Sequence, residues 1–253
     1  MCIRDSFLVE LYRIKSHDWG SIIRYHIEKD KLLLADEKVK YPKGCINFGL
    51  AHGIIAPLIA LAKAKKYGYN VKGINATISG LRQLYEKYSV RDMNILKYPT
   101  MLSVEDYFSN TVSKDSITYN AGWCYGNAGI VRGLMKVSYY LNDNNNYQYY
   151  KKELLSIINQ ELDNYNFDLP IVCHGYASVL SIQISAFRES GDKSFLITRE
   201  RNMRQTIISH RNCIFNDEYT NDYSILSGES GTILTLINGI YLSKEYPKLL
   251  MID

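Results

Sequence analysis

Two cysteines and a histidine carry the strongest chemical signal in this 253-residue chain. Cys124 lies in Trp123-Cys124-Tyr125-Gly126, and Cys173 and His174 open the run Cys173-His174-Gly175-Tyr176-Ala177. Two thiols and one imidazole form a soft donor set. Such a set suits Zn²⁺ with its fourth tetrahedral position left to water or substrate. The two stretches are distant in sequence, so only the fold can join them. By residue type alone they also fit two buried cysteines and a hydrogen-bonded histidine, since free cysteine is among the most buried residues. The remaining thiols, Cys2, Cys45 and Cys213, read as structural or exposed bystanders, and His17, His26 and His210 as surface residues.

The totals narrow the classes. Hydrophobic content of 46% and charged content of 22% are those of a globular protein. The net charge of +4 is small and its cations are dispersed, which gives no footprint for nucleic acid. No apolar run is long enough to span a membrane, and the opening residues lack the apolar stretch of a signal peptide. Five cysteines, an odd number at wide spacing, argue against a disulfide framework and for a reducing cytoplasm. Weak attraction to an anionic membrane surface stays compatible with the charge.

Helical patterns position the candidate ligands. An apolar helix is expected to begin at Gly49-Leu50-Ala51-His52-Gly53 and to stop near Lys65-Lys66-Tyr67-Gly68, where cations and a glycine mark its end. An amphipathic helix follows over about Ile74 to Tyr88. The alternation then repeats. Gly126 leads into an apolar helix and Tyr149 to Tyr165 reads as an amphipathic one. Gly175 leads into another apolar helix, followed by an amphipathic one over Phe195 to His210. Gly228-Glu229-Ser230-Gly231 opens a last apolar helix. Small-residue turns at Gly126, Gly175 and Gly228 thus recur at the length of a helical hairpin. No strand is expected. The segment Phe7 to Val39 reads as helix fragments around a turn at Asp18-Trp19-Gly20, and Asn94 to Gly122 as a long irregular loop. Such a repeat makes an all-α solenoid or closed toroid, with His52, Cys124, Cys173 and His174 on one rim.

In order along the chain, Gly49-Leu50-Ala51-His52-Gly53, Trp123-Cys124-Tyr125-Gly126-Asn127-Ala128-Gly129, Cys173-His174-Gly175-Tyr176-Ala177 and Ser227-Gly228-Glu229-Ser230-Gly231 resemble the motifs of the lanthionine synthetase C-like proteins, the cyclases of lantibiotic biosynthesis. The resemblance implies an α/α toroid of inner and outer helices with one Zn²⁺ on Cys124, Cys173 and His174. It implies His52 as the cyclisation histidine, and Trp123 and Tyr125 as the wall beside the metal that meets substrate. It further implies a ribosomally made precursor peptide as substrate, with a dehydratase and an exporter as partners. Two positions depart from the family pattern: Asn120 stands where an arginine is usual, and Ser178 where a glycine is usual. His52 also falls early for the family. The chain therefore reads as a single domain over 1–253 lacking N-terminal repeats, the C-terminal portion of a longer cyclase or of a bifunctional synthetase.

The reaction implied is addition of a peptide cysteine thiol to a dehydroalanine or dehydrobutyrine of the same peptide. It needs a thiolate near neutral pH, which a metal-coordinated thiol provides. It also needs an acid for the enolate left at the α-carbon, and an imidazole titrates in the right range. Two other classes compete. A zinc-bearing helical scaffold that binds a modified peptide without turnover is motivated by Asn120. A carbohydrate-active toroid would want paired carboxylates on the rim, where the motifs offer Glu229 alone.

Overall fold

The protein is described from a computed structural model covering residues 3–216, 222–242 and 250–252; Cys2 lies outside the described residues. Two compact units divide the chain. The first comprises Met1–Thr118 with Lys136–Asn144, and the second Tyr119–Met135 with Asn145–Asp253.

In the first unit the elements are α1 (Ile3–Glu10), β1 (Ile14–His17), β2 (Gly20–Ile23), α2 (Ala35–Lys40), β3 (Cys45–Asn47), α3 (Ile55–Lys66), α4 (Ile74–Lys87), β4 (Val90–Asp92), β5 (Ile95–Lys97), β6 (Met101–Ser103) and α5 (Val104–Ser109). Among the described residues strands pair only in antiparallel twos, β1 with β2, β3 with β6 and β4 with β5. These strands correct the expectation of none. They are three or four residues long, too short for alternation to show, and cross-strand pairing holds them. The turn at Asp18-Trp19-Gly20 is as expected, but its flanks are strands. Ile22 and Ile23 are β-branched and buried on β2. His17 stacks on Trp19 at 4.4 Å, and His26 Nε2 meets the Lys43 carbonyl at 2.7 Å, so neither is a plain surface residue.

Helix α3 begins at Ile55 rather than at Gly49. Its Pro57 falls in the first turn, where a missing N–H breaks no helical bond. Ile55, Leu58, Ile59, Leu61, Ala62 and Ala64 are buried, so α3 is the inner helix of its pair. It packs on α4, which buries a stripe through Ile74, Ile78, Leu81 and Tyr85 and leaves Gln83, Glu86 and Lys87 exposed. The Tyr85 hydroxyl donates to the Phe48 carbonyl at 2.7 Å, which satisfies a phenol otherwise wholly buried.

Helix α6 (Asn127–Tyr140) starts in the second unit. It is followed by α7 (Asn144–Ile158), α8 (Tyr176–Ser190), α9 (Arg199–Phe215) and α10 (Glu229–Tyr241). The outer helices are displaced from their expected bounds. Asn142 takes φ 55° and stops α6, which lets α7 start inside the Asn run; Leu162–Tyr165 is a separate 3-10 turn. The expected helix over Phe195 to His210 is a 3-10 turn at Lys193–Leu196 followed by α9. Inner helix α8 is buried from Tyr176 through Ala186, with α9 and α10 packed on it. Its buried polar groups are paired: Ser181 Oγ with Thr235 Oγ1 at 3.1 Å, and Gln183 Nε2 donating to Thr198 Oγ1 at 3.0 Å.

Helix α10 overturns one expectation. It buries Gly231, Thr232, Thr235, Asn238 and Gly239, while Ile233, Leu234, Ile237 and Ile240 stay exposed at 43%, 40%, 45% and 61%. Its small residues permit close approach to the chain beside it: a Cβ on Gly231 would lie 1.7 Å from the Ile225 carbonyl oxygen. The apolar stripe is therefore not the packed one. Among the described residues no helix is long and apolar enough to cross a membrane.

Candidate metal centre

One device leads into four helices. Asn47 and Gly53, Asn120 and Gly126, Leu169 and Gly175, and Asp222 and Gly228 each stand six residues apart. In every case the residue after the glycine donates its N–H to the carbonyl of the first residue. These bonds are Ile54 to Asn47 at 2.9 Å, Asn127 to Asn120 at 3.1 Å, Tyr176 to Leu169 at 3.1 Å and Glu229 to Asp222 at 3.0 Å. In three of the four turns a side chain adds a bracket inside. Gly49 donates to Asn47 Oδ1 at 2.8 Å, Gly122 to Asn120 Oδ1 at 3.0 Å, and Ser224 to Asp222 Oδ1 at 2.8 Å. The closing glycine is dictated by space. A Cβ on Gly126 would lie 2.0 Å from the Gly122 nitrogen, and one on Gly175 would lie 2.3 Å from the Leu169 oxygen.

The two residues before each glycine are Ala51-His52, Cys124-Tyr125, Cys173-His174 and Leu226-Ser227. Every expected ligand and the expected cyclisation histidine occupy this central pair. Within the second unit the turns are joined through the first member of the pair. The Cys124 N–H donates to the Cys173 carbonyl at 3.0 Å, and the Cys173 N–H to the Leu226 carbonyl at 2.9 Å. Two cysteines far apart in sequence thereby sit side by side.

Ligand atoms of Cys124, Cys173 and His174 all lie within 4.8 Å of one another, with Cys124 buried, Cys173 half-buried and His174 exposed. Zinc bonds of about 2.3 Å to sulfur set tetrahedral ligand atoms about 3.8 Å apart, so small side-chain rotations suffice to close the set around one ion. The donor set and its spacing therefore fit a tetrahedral zinc with one position open. Cys173 hydrogen-bonds to both other groups. That bond, then burial, pushes the Cys124 thiol well above its ordinary range, and the His174 imidazole is raised first by its bond to Cys173, against burial. A divalent cation entering the cluster must displace those protons.

Around the cluster, Trp123 is 8% exposed and its Nε1–H donates to the Leu250 carbonyl at 2.8 Å, while Tyr125 is half-buried. His52 belongs to the first unit, exposed on the turn before α3. Cys45 and Cys213 are buried, and burial pushes the Cys45 thiol up to about 12. Asn120, expected only as a departure from the family's arginine, has a local role as acceptor for the Gly122 N–H. The signal was present, since Asn or Asp stands six residues before three of the four glycines.

A helical-hairpin fold with a Cys-Cys-His cluster at the mouths of its inner helices defines an all-α protein with a candidate metal centre. The family profile of lanthionine synthetase C-like protein matches residues 6–251, and the chain belongs to that family. The nisin biosynthesis protein NisC of Lactococcus lactis subsp. lactis is 27% identical over 165 residues, which are 64% of this chain and 38% of that protein. The solved structure of nisin cyclase superposes with a TM-score of 0.79 at 24% identity, over 98% of this chain and 59% of that one. The fold class is that of nisin cyclase, the all-α toroid. The chain spans less than two thirds of the length of either relative.

Proposed function

We propose that this chain carries the zinc-bearing face of a peptide thioether cyclase, which joins cysteine thiols to dehydroalanine or dehydrobutyrine residues of a precursor peptide. The convergence of Cys124, Cys173 and His174 within 4.8 Å supports the reading. A Zn²⁺ held by these three residues would supply a thiolate from the peptide cysteine near neutral pH, where a thiol of pKa about 8.5 is mostly protonated.

The protein's own groups do the rest. The thiolate sulfur bonds to the β-carbon, the π pair moves to the α-carbon as an enolate, and a proton must then reach that carbon. We assign the delivery to His52. Tyr125, half-buried next to Cys124, and the buried Trp123 are assigned to the wall on the Cys124 side of the cluster, whose His174 side stays open to solvent. The substrate is a ribosomally made peptide already dehydrated by a dehydratase activity. That dehydratase and an exporter are the proposed partners, and the cytoplasm, with peripheral contact to the membrane, is the proposed setting.

The test has two arms. Metal analysis of the purified chain is expected to give about one zinc per chain, lost in Cys173→Ala. Cyclisation leaves peptide mass unchanged, so ring formation is read as loss of alkylatable thiols on a dehydrated precursor. Wild-type protein is expected to protect those thiols, while Cys173→Ala and His52→Ala are not. Zinc without thiol protection would favour instead a scaffold that binds the modified peptide without turnover.

A further inference from the structure

We infer that the segment Leu250–Ile252 is a strap that fixes Trp123 and, through it, the loop bearing Cys124. The inference rests on the metal reading of the cluster for its consequence, but not for the strap itself.

Three observations carry it. Leu250 and Ile252 are 1% and 0% exposed, so the segment is inserted among the helices of the second unit. Its two carbonyls are both engaged by side chains. Leu250 accepts the Trp123 indole N–H at 2.8 Å, and Ile252 accepts Arg132 Nη2 at 2.6 Å together with the Ser185 hydroxyl. Arg132 is itself wholly buried and forked onto Glu189, with Nη1 at 2.9 Å from one carboxylate oxygen and Nη2 at 3.0 Å from the other. A buried guanidinium so paired is an anchor of defined geometry. The strap is therefore clamped at Ile252 by α6 and α8, and holds Trp123 with the carbonyl two residues earlier.

Trp123 directly precedes Cys124, whose N–H is tied to the Cys173 carbonyl. Both ends of the Trp123-Cys124 dipeptide are thus fixed, one by the strap and one by the neighbouring turn. Freeing the indole removes the side-chain tether next to Cys124 and leaves the turn's own backbone brackets and the bond to Cys173 to hold it. Trp123 is then a positioning residue for the cluster, acting through the backbone it shares with Cys124, and the loss of its one indole hydrogen bond is worth about two- to tenfold in metal affinity.

The experiment uses Co²⁺ as probe, read by its thiolate charge-transfer and d–d bands. It also uses acrylamide quenching of Trp123 in a Trp19→Phe background, which leaves Trp123 as the only tryptophan. Deleting residues 250–253 is expected to raise quenching of Trp123 in the metal-free protein and to weaken Co²⁺ binding about two- to tenfold. Trp123→Phe keeps the strap residues buried and loses only the indole N–H. It is expected to weaken Co²⁺ and shift its bands with the helical content unchanged, which keeps the test decisive if the deletion fails to fold. Wild-type affinity and bands in Trp123→Phe would overturn the inference, as would unchanged quenching in a folded deletion. If the wild type takes up no Co²⁺, the metal reading falls and the quenching arm still decides the strap.

Discussion

Cys124 and His174 both hold their protons more firmly than their ordinary values imply, because each shares a hydrogen bond with Cys173. The sign for metal binding follows. A raised pKa extends proton competition upward, so affinity must climb with pH through the neutral range and be lost as pH falls. Co²⁺ affinity is expected to increase more than about tenfold between pH 6 and pH 8, with proton release into a weakly buffered medium. A flat affinity over that range would remove Cys124 from the ligand set. The ligand types were readable in the sequence because thiol and imidazole chemistry belongs to the residue. The firmer hold on those protons was not, because it depends on the fold bringing Cys173 within hydrogen-bond reach of both groups.

At the scale of the element, the turn before each inner helix is a frame built by its first and seventh residues. Asn120 is a frame residue. Asn120→Ala would leave the buried Gly122 N–H without its side-chain acceptor and is expected to cost about 1–2 kcal/mol. Asn120→Asp retains the acceptor and should lose less. Urea midpoints of the two variants decide, and equal losses would mean that the bracket contributes nothing. The glycine pitch at 126, 175 and 228 was legible since only glycine fits against backbone atoms two to three ångströms away. The short strands, the true start of α3 and the strap were not. Strand pairing, a preceding tight turn and a hydrogen bond to a carbonyl 127 residues away leave no periodic trace in sequence.

For the molecule as a whole, the exposed stripe of α10 matters most. Ile233 and Leu234 are adjacent and Ile237 and Ile240 follow at helical spacing on the same face, with Tyr241 75% exposed beside them. A continuous apolar stripe of this kind favours association. The purified chain is expected to self-associate in sedimentation, and Ile237→Lys to shift it towards monomer without changing helical content. A monodisperse wild-type monomer would count against this. The inner helices were legible as apolar, but the face each one packs was not: α10 packs with its small and polar residues because they allow the closest approach.

The repeated turn also bears on ancestry. The frame acts through backbone groups, with Asn, Asp or Leu at its first position and Gly at its seventh, and the side chains of the central pair carry no part of that duty. Leu226-Ser227 closes the same turn as Cys173-His174 with no metal-binding side chain. A duplicated hairpin could thus be recoded at two codons while its backbone stayed intact. Ligands could be gained or lost one turn at a time, and decay of the chemistry would leave the scaffold standing.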